Sequence, residues 1–399
     1  MIMVSNPGDG PIATYSTHPL HFGASTNIRL IEVLPASSEN DTSPISCKLL
    51  VLPLDAQPLY TALSYVWGDA SFSKTILLDG DQFVVRNNLW DFLNHWRGTT
   101  LGFEEGRRYL WIDAISIDQS SIKERNHQVA IMGRIYSEAK MTISWLGSGP
   151  AVLVDALDVL QRQFSDLQPY SEELIDLCYE HFNILQTNVY WTRVWIIQEC
   201  VLAKRFELWC GNGRMSSAIL VNAIRGCSKS HPRNTCLTLY NIIKLRGDFE
   251  NICRPPTSLS TLCGMFPDMA CADVIDRLFA LLSLVSPQDL SDFPVRADYS
   301  TSASDLFLAL FRRGCIKAGV SARLPATATI QPRLIPHNFR HSYNARTGRY
   351  IRTGILANLK SCEKTQQLLN NMMMVLMEMF EIDVTDENYL LAVMITKDI

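Results

Sequence analysis

A strand, a helix and a second strand follow one another with short connections between residues 108 and 147. The run RYLWIDAISIDQ is apolar up to Ile112 and becomes polar where a buried strand should end. In the next segment, apolar residues at steps of three and four predict a helix with one buried face: Val129, Met132, Tyr136 and Ala139. MTISWLG then predicts another buried strand, closed by Gly147. Such a unit predicts a parallel α/β sheet.

Further strands are predicted on both sides of this unit. IRLIEVLP, ISCKLLVLPL and LYTALSYVWGD read as strands, and KTILLDGDQFVVR as a hairpin that turns at Asp79-Gly80. NNLWDFLNHWR predicts a short helix capped by Asn87 or Asn88. Residues 151–203 have a helical pattern, FELWCG predicts a strand, and CGNGRM at 210–215 predicts only a turn. The expected fold class is α/β: a parallel sheet flanked by helices with N-terminal β-hairpin additions, followed by a mainly α-helical C-terminal region.

The tryptophans indicate where the principal domain lies. All eight fall between Trp67 and Trp209, and large aromatic side chains dominate the energetics of cores and sites. We therefore expect five parts: a flexible leader (1–27), the principal domain (28–212), a helical region (213–322), a basic irregular segment (323–362) and a Met-rich helical tail (363–399). The basic segment is either a solvated insert or a surface for nucleic acid or acidic lipid. The Met-rich segment is either a core helix or an interaction helix.

Composition restricts the class of protein. A net charge of -4 predicts no general affinity for nucleic acid. The N-terminus lacks the pattern of a signal peptide, and no run of about 18 apolar residues could cross a membrane. The eleven cysteines contain no CxxC pair, which predicts no metal site and reduced thiols in a cytosolic or nuclear protein. Of these two locations, we expect the cytoplasmic one. Phosphate-loop, dinucleotide-fingerprint, HExxH and GxSxG motifs are absent from the sequence.

Polar residues cluster at the ends of the predicted strands. Because ligands of open parallel sheets bind beyond the carboxyl ends of the strands, we expect these side chains to converge there: Ser64, Asp69, Asp113, Asp118, Gln119, Gln198 and Glu199. Each has a structural alternative. Asp113 could cap the loop before the helix at 121, and Trp67 could be a core residue.

Glu199 follows an aromatic and aliphatic run, YWTRVWIIQE. On a helix it lies one turn from Trp195. A carboxylate on such a desolvated face is expected to have a raised pKa, or to need a cation such as Arg193 or Lys204. The structural alternative is a glutamate that pairs with an arginine to hold the domain together.

Three segments resemble the motif blocks of the heterokaryon-incompatibility (HET) domain of filamentous fungi: YTALSYVWGD, LWIDAISIDQSSIKERNHQVAIMGRIYSEAKMTISWLG and YWTRVWIIQE. They stand in the family's order over about 60–200. DVIDRLFALLSLV and VRADYSTSASDLF resemble segments that commonly follow this domain. Ser116 stands where the family most often has cysteine, which argues against a nucleophile at that position.

The resemblance implies a fungal protein of nonself recognition or programmed cell death. More distantly, the domain is similar to Toll/interleukin-1 receptor (TIR) domains, which implies a TIR-like sheet. Thr192, Trp195 and Glu199 match the spacing around the catalytic glutamate of NAD⁺-cleaving TIR domains. The resemblance thus implies catalysis by Glu199, with NAD⁺ as a substrate and no cofactor. The residues implied to bind this substrate are Ser64, Trp67, Asp113, Trp195 and Gln198.

The resemblance leaves two hypotheses open. In the first, the protein is an NAD⁺ glycohydrolase that becomes active on self-association through the HET domain. In the second, it is a non-enzymatic signalling or scaffold module that acts through the same self-association. No repeat typical of a recognition domain is present, so an upstream sensor is expected on another chain.

Overall fold

The computed structural model describes residues 13–22, 26–36, 43–98, 109–165, 170–230, 236–250, 257–266, 269–292, 295–317, 342–344, 349–351, 376–377 and 379–381. The chain divides into two compact units, residues 1–300 and 301–399.

The N-terminal part of the first unit is mostly β-structure. Its elements are α1 (Ala13–Thr17), β1 (Asn27–Val33), β2 (Ser46–Pro53), a 3-10 turn (Leu54–Ala56), β3 (Thr61–Tyr65), β4 (Ser73–Leu78), β5 (Asp81–Arg86) and α2 (Asn87–Arg97). The predicted hairpin at Asp79-Gly80 is confirmed: the two residues have φ angles of 51° and 91°. Positive φ at both central positions is what a tight hairpin turn needs.

Strands and helices then alternate. The elements are β6 (Tyr109–Trp111), α3 (Asp113–Ser116), α4 (Ile122–Glu138), β7 (Met141–Trp145), α5 (Ala151–Gln163), α6 (Glu172–Gln186), a 3-10 turn (Val189–Thr192), α7 (Ile196–Val201), β8 (Phe206–Cys210) and β9 (Gly213–Ser216). The predicted strand, helix, strand unit corresponds to β6, α4 and β7.

Nine strands form one mixed sheet in the order β5-β4-β2-β1-β6-β3-β7-β8-β9. The four neighbours β6, β3, β7 and β8 run parallel to one another. Antiparallel pairs flank them, since β1 pairs with both β2 and β6, and β9 pairs with β8. The α/β class with hairpin additions is confirmed, although the sheet as a whole is mixed.

Alternation along the strands buries both faces of the sheet. Leu63 and Ile112 point into a cluster that includes Phe92 and Trp96 of α2. Ala62 and Trp111, one residue earlier on each strand, belong to a second cluster with Tyr136 of α4. Each fully buried large side chain contributes roughly 1.5–3 kcal/mol to folding. Helices therefore cover both faces, as parallel strands require.

Helices follow the sheet, as the periodicity predicts. Those of the first unit are α8 (Ser217–Ser230), α9 (Leu237–Glu250), α10 (Leu259–Met265), α11 (Asp276–Leu282) and α12 (Pro287–Asp292). The second unit contains α13 (Ala303–Lys317) and a two-stranded antiparallel sheet of β10 (Ser342–Asn344) and β11 (Arg349–Ile351).

One local expectation at the N-terminal side is wrong. Neither Asn87 nor Asn88 caps α2; the N-cap is Arg86, which makes no side-chain capping bond. Asn87 instead donates to Asp91, and Asn88 donates to the Val66 carbonyl. Within the expected leader, α1 packs on the first unit, since Tyr15 is buried and its hydroxyl donates to the Ile115 carbonyl at 3.0 Å.

Two further expectations are corrected downstream. The helical pattern over 151–203 is interrupted, because Arg193 is extended (φ −74°, ψ 135°) and α7 begins only at Ile196. CGNGRM is more than a turn, since Gly213–Ser216 forms β9. Most of the basic segment 323–362 and of the Met-rich tail 363–399 lies outside the described residues. The predicted boundaries of these parts remain predictions.

Candidate ligand site

A cavity of about 510 Å³ lies beyond the carboxyl ends of β3 and β6 in the first unit. Its lining combines three arginines, three aspartates and three aromatic side chains: Arg86, Arg125, Arg193, Asp113, Asp273, Asp276, Trp67, Trp195 and Tyr299. The volume falls in the range of about 300–1,000 Å³ typical of small-molecule sites. The mixture of charges and aromatic rings suits a polar ligand with a flat ring.

Trp67 and Asp113 form one wall. The parallel register of β3 and β6, with Ala62 opposite Trp111, brings the residues that follow the two strands together. The Trp67 indole Nε1 donates to Asp113 Oδ2 at 2.8 Å, and the Ala114 N–H donates to Asp113 Oδ1 at 2.8 Å. Burial raises the pKa of Asp113, while the Arg193 charge and these two bonds partly oppose the rise.

Arg193 connects this wall to the next segment of chain. Its guanidinium donates to the Tyr65 carbonyl. Burial disfavours its charge, but the carboxylates of Glu199 and Asp113 outweigh that effect and raise its pKa. The backbone on either side pairs with Ala270: the Val194 N–H donates to the Ala270 carbonyl at 3.0 Å, and the Ala270 N–H donates to the Thr192 carbonyl at 2.7 Å. This pairing explains why the chain is extended here instead of helical.

The opposite wall comes from residues after the sheet. The Tyr299 hydroxyl donates to Asp276 Oδ1 at 2.6 Å, and the Trp195 indole also bonds to this carboxylate. The Arg125 guanidinium lies 3.9 Å from the centre of the Tyr299 ring. The pKa of Asp276 is raised because the residue is buried, and the two hydrogen bonds oppose this rise.

Glu199 is buried in α7 and is not part of the cavity lining. Only 2% of it is exposed, and the Ser64 hydroxyl donates to its Oε2. Burial raises the pKa of Glu199 from 4.5 to about 7, against the opposing effects of Arg193 and Ser64. The expectations of a raised pKa and of Arg193 as the nearby cation are thus confirmed. Lys204, the other candidate cation, donates to the Glu138 carbonyl instead.

Tyr190 extends the hydrogen-bond network around Glu199. Its hydroxyl lies 2.6 Å from Ser64 Oγ and donates to Ser144 Oγ at 2.9 Å. Cys200 Sγ is 3.4 Å from the same hydroxyl. All these groups are buried, so their hydrogen bonds are stronger than they would be in water.

The structure brings some of the predicted site residues together and separates others. Trp67, Asp113 and Trp195 line the cavity. Ser64 and Glu199 bond to each other outside the lining. Gln198 points elsewhere, because its Oε1 accepts a hydrogen bond of 2.7 Å from Ser283. The helix at 122 is capped by Ser121, whose hydroxyl accepts from the Glu124 N–H at 3.3 Å, so Asp113 is not its cap.

Sequence reasoning missed four of the six charged residues that line the cavity, and one tyrosine: Arg86, Arg125, Asp273, Asp276 and Tyr299. One signal was available. Asp276 lies in DVIDRLFALLSLV and Tyr299 in VRADYSTSASDLF, the two segments that resemble regions commonly found after a HET domain. In this chain the two segments supply one wall of the cavity.

The described residues were compared with two further kinds of feature, metal-binding clusters and membrane-spanning helices, and contain neither. Within the ranges given above, no group of three or more His, Cys, Asp or Glu side chains is arranged to hold a metal ion. In the same part of the chain, no helix combines the length and apolarity needed to span a bilayer.

Comparison with known proteins identifies one domain. Residues 60–199 match the family model "Heterokaryon incompatibility protein (HET)". The chain is 27% identical over 347 residues to "Heterokaryon incompatibility protein 6, OR allele" of Neurospora crassa, an alignment that covers 70% of this chain and 50% of the relative. The chain thus spans about half the length of the curated relative that it matches. No solved structure matches it. Residues 60–199 thus match a HET domain, and the chain is similar to a fungal heterokaryon-incompatibility protein.

Proposed function

We propose that the protein acts in fungal nonself recognition and cell death, and that it cleaves NAD⁺ at the nicotinamide N-glycosidic bond. The general role is supported by the HET domain and by the name of the Neurospora relative. Because the chain covers only half of that relative, its activity and its partners are part of this proposal.

The cavity beyond β3 and β6 carries the proposal of a nucleotide substrate. Trp67 and Trp195 offer flat apolar surfaces for an aromatic base. Arg193 and Arg125 can bind phosphate, since guanidinium matches phosphate oxygens in geometry and charge. Asp113 and Asp276 can accept hydrogen bonds from ribose hydroxyls. NAD⁺ contains all three of these chemical groups.

The reaction needs little acid catalysis. Nicotinamide leaves as a neutral base when the bond from its nitrogen to the ribose C1′ breaks with both electrons. Water then adds to C1′ and releases a proton, which gives ADP-ribose. The positive charge that develops on the ribose is stabilised by a nearby carboxylate. Glu199 is the residue proposed for this role, with Ser64, Trp67, Asp113, Trp195 and Gln198 as residues around the substrate.

Glu199 is buried in this conformation, so the proposed reaction requires a rearrangement. Arg193 lies in the cavity lining and interacts electrostatically with both Asp113 and Glu199. We propose that substrate binding moves Arg193 away from the Tyr65 carbonyl and opens a path from the cavity to Glu199. Self-association through the HET domain is the event that we propose to favour this change.

A second candidate function is a non-enzymatic signalling module. It is favoured by one observation: Glu199 is bonded to Ser64 in the buried interior, as expected for a structural residue. In this case the protein acts through contacts of the HET domain with another copy or with an upstream sensor protein. Substitutions on the exposed side of α4 would then block signalling, whereas Glu199→Gln would act only by destabilising the fold.

The test is the NAD⁺ content of cells that express residues 1–399 as wild type, Glu199→Gln or Glu180→Gln. Glu180 is an exposed residue of α6 and serves as the matched control. We expect loss of NAD⁺ with the wild type and the control but not with Glu199→Gln, at equal expression and with a similar unfolding transition. Cell death with a constant NAD⁺ content would contradict the enzymatic proposal and favour the signalling module.

A further inference from the structure

The wall of the cavity opposite Trp67 and Asp113 contains three residues that contact one another in sequence, Arg125, Tyr299 and Asp276. The Arg125 guanidinium stacks on the ring of Tyr299, and the hydroxyl of Tyr299 donates to Asp276. All three line the cavity. A cation therefore lies over the face of one aromatic ring, and a carboxylate lies at the hydroxyl of the same ring.

Arg125 is available for a ligand anion. Among the residues that the structure describes, no carboxylate forms an ion pair with it, and its buried Nε has no hydrogen-bond acceptor. Stacking on Tyr299 fixes the guanidinium plane without using its N–H donors. A phosphate group in the cavity would accept from the terminal N–H groups of this guanidinium, because the buried Nε is closed to a ligand.

Asp276 is oriented as a hydrogen-bond acceptor. Its Oδ1 receives the Tyr299 hydroxyl at 2.6 Å, and Trp195 is a second donor. A carboxylate has about four lone-pair sites, so about two remain for groups that enter the cavity. Neighbouring hydroxyls of a sugar are suitable donors for one carboxylate.

We propose that Arg125, Tyr299 and Asp276 form a ribose-phosphate subsite, in which Arg125 binds the phosphate and Asp276, held by Tyr299, accepts hydrogen bonds from ribose hydroxyls. The inference rests on the proposed function, because it assigns part of the same cavity to part of the nucleotide. Asp276 and Tyr299 lie outside residues 60–199, so the residues that match the HET family would not contain the whole site.

Binding of three nucleoside probes to the full chain tests this assignment. Adenosine differs from AMP by the missing phosphate, and 2′-deoxy-AMP differs from AMP by one missing hydroxyl. In the wild type we expect AMP to bind about tenfold more tightly than adenosine and about fivefold more tightly than 2′-deoxy-AMP, as single lost interactions predict. Calorimetry or the fluorescence of the cavity tryptophans gives the two ratios.

Each variant should change one ratio only. Arg125→Gln should bring the AMP-to-adenosine ratio near one and leave the other ratio unchanged. Asp276→Asn should do the reverse. Tyr299→Phe keeps the ring beneath Arg125 and removes the hydroxyl, so it should reduce only the discrimination against 2′-deoxy-AMP. Asp158→Asn, on the exposed side of α5, is the matched control and should change neither ratio.

The outcomes separate this inference from the proposed function. If the wild type binds NAD⁺ and AMP but the variants retain both ratios, the subsite assignment is wrong and the nucleotide cavity stands. If the wild type binds neither NAD⁺ nor any of the three probes, both proposals are wrong. If Arg125→Gln or Asp276→Asn prevents folding, Tyr299→Phe decides the test, because it removes only one hydroxyl.

Discussion

The hydroxyl of Ser64 donates a hydrogen bond to the carboxylate of Glu199, a residue 135 positions further along the chain. Ser64 belongs to β3 and Glu199 to α7, so the bond joins an inner strand of the sheet to a helix packed on it. The side chains are only 1% and 2% exposed, so water does not replace the bond if it is lost. This contact joins α7 to the sheet and partly opposes the rise in the pKa of Glu199 that burial causes.

Ser64→Ala should lower the free energy of unfolding by about 1–3 kcal/mol, because the buried carboxylate of Glu199 loses a hydrogen-bond donor. Equilibrium unfolding in urea measures the change. Ser165→Ala, at an exposed position, should remain within about 0.5 kcal/mol of the wild type. Equal effects of the two substitutions would show that the Ser64 bond contributes nothing.

Stability should fall as the pH rises from 4.5 to about 7. Burial raises the pKa of Glu199 to about 7, whereas in the unfolded chain it ionises near 4.5. Within this window the folded state therefore holds a proton that the unfolded state has lost, which favours folding at the acid end. The contribution lost across the window is at most about 3 kcal/mol. Asp113 and Asp276, whose pKa values are also raised, act in the same direction.

Glu199→Gln separates this contribution from the others, because glutamine does not titrate. We expect its unfolding free energy to depend less steeply on pH than that of the wild type between pH 4.5 and about 7. Urea midpoints at several pH values give the two slopes. Parallel slopes would mean that Glu199 keeps an ordinary pKa.

Arg29→Met should destabilise the fold by about 3–5 kcal/mol, since it leaves Glu124 buried without its ion partner. Arg29 and Glu124 are 1% and 5% exposed, and Arg29 also donates to the His18 and Ser116 carbonyls. The double variant Arg29→Met/Glu124→Gln should recover part of the loss. Arg134→Met removes two exposed ion pairs of α4, with Asp55 and Glu138, and should cost no more than about 1 kcal/mol.

Two glycine-to-alanine changes in helices should have opposite signs. A Cβ at Gly133 would lie 2.5 Å from the Cβ of Ser283, whereas a Cβ at Gly247 would meet nothing within 4 Å. Gly133→Ala should therefore lower the unfolding free energy by about 1–3 kcal/mol, and Gly247→Ala should raise it by about 0.4–1 kcal/mol. Differential scanning calorimetry measures both. A stabilising Gly133→Ala would mean that α4 and the end of α11 pack less closely than described.

The parts of the fold that local chemistry determines were predictable from the sequence. The hairpin at Asp79-Gly80 and the helix α4 follow from turn chemistry and apolar periodicity, which need no tertiary information. The cap of α2 and the start of α7 were not predictable in this way. The Asn88 side chain donates to the Val66 carbonyl, and the extended backbone at Arg193 is held by hydrogen bonds of its neighbours to Ala270. Residues distant in sequence therefore determine both the cap of α2 and the start of α7.

Some residues of the candidate site were likewise predictable from the sequence, and others were not. Trp67 and Asp113 could be placed together because both follow parallel strands, and strand ends meet at one edge of a sheet. Asp276 and Tyr299 reach the cavity only through the packing of helices after the sheet, and no rule of spacing relates them to Asp113. The burial of Glu199 beside Ser64 likewise depends on how α7 turns after its extended start.

The order of strands in the sheet also has a consequence for synthesis on the ribosome. β3 lies between β6 and β7, and both of these neighbours come later in the chain. During translation β3 therefore has two unpaired edges until β6 has emerged at residue 111, and one until β7 has emerged at residue 145. Unpaired edges of apolar strands are prone to aggregate. Slower elongation before residue 145 should lengthen this vulnerable interval, and chaperones that cover exposed strands should improve the yield of folded protein.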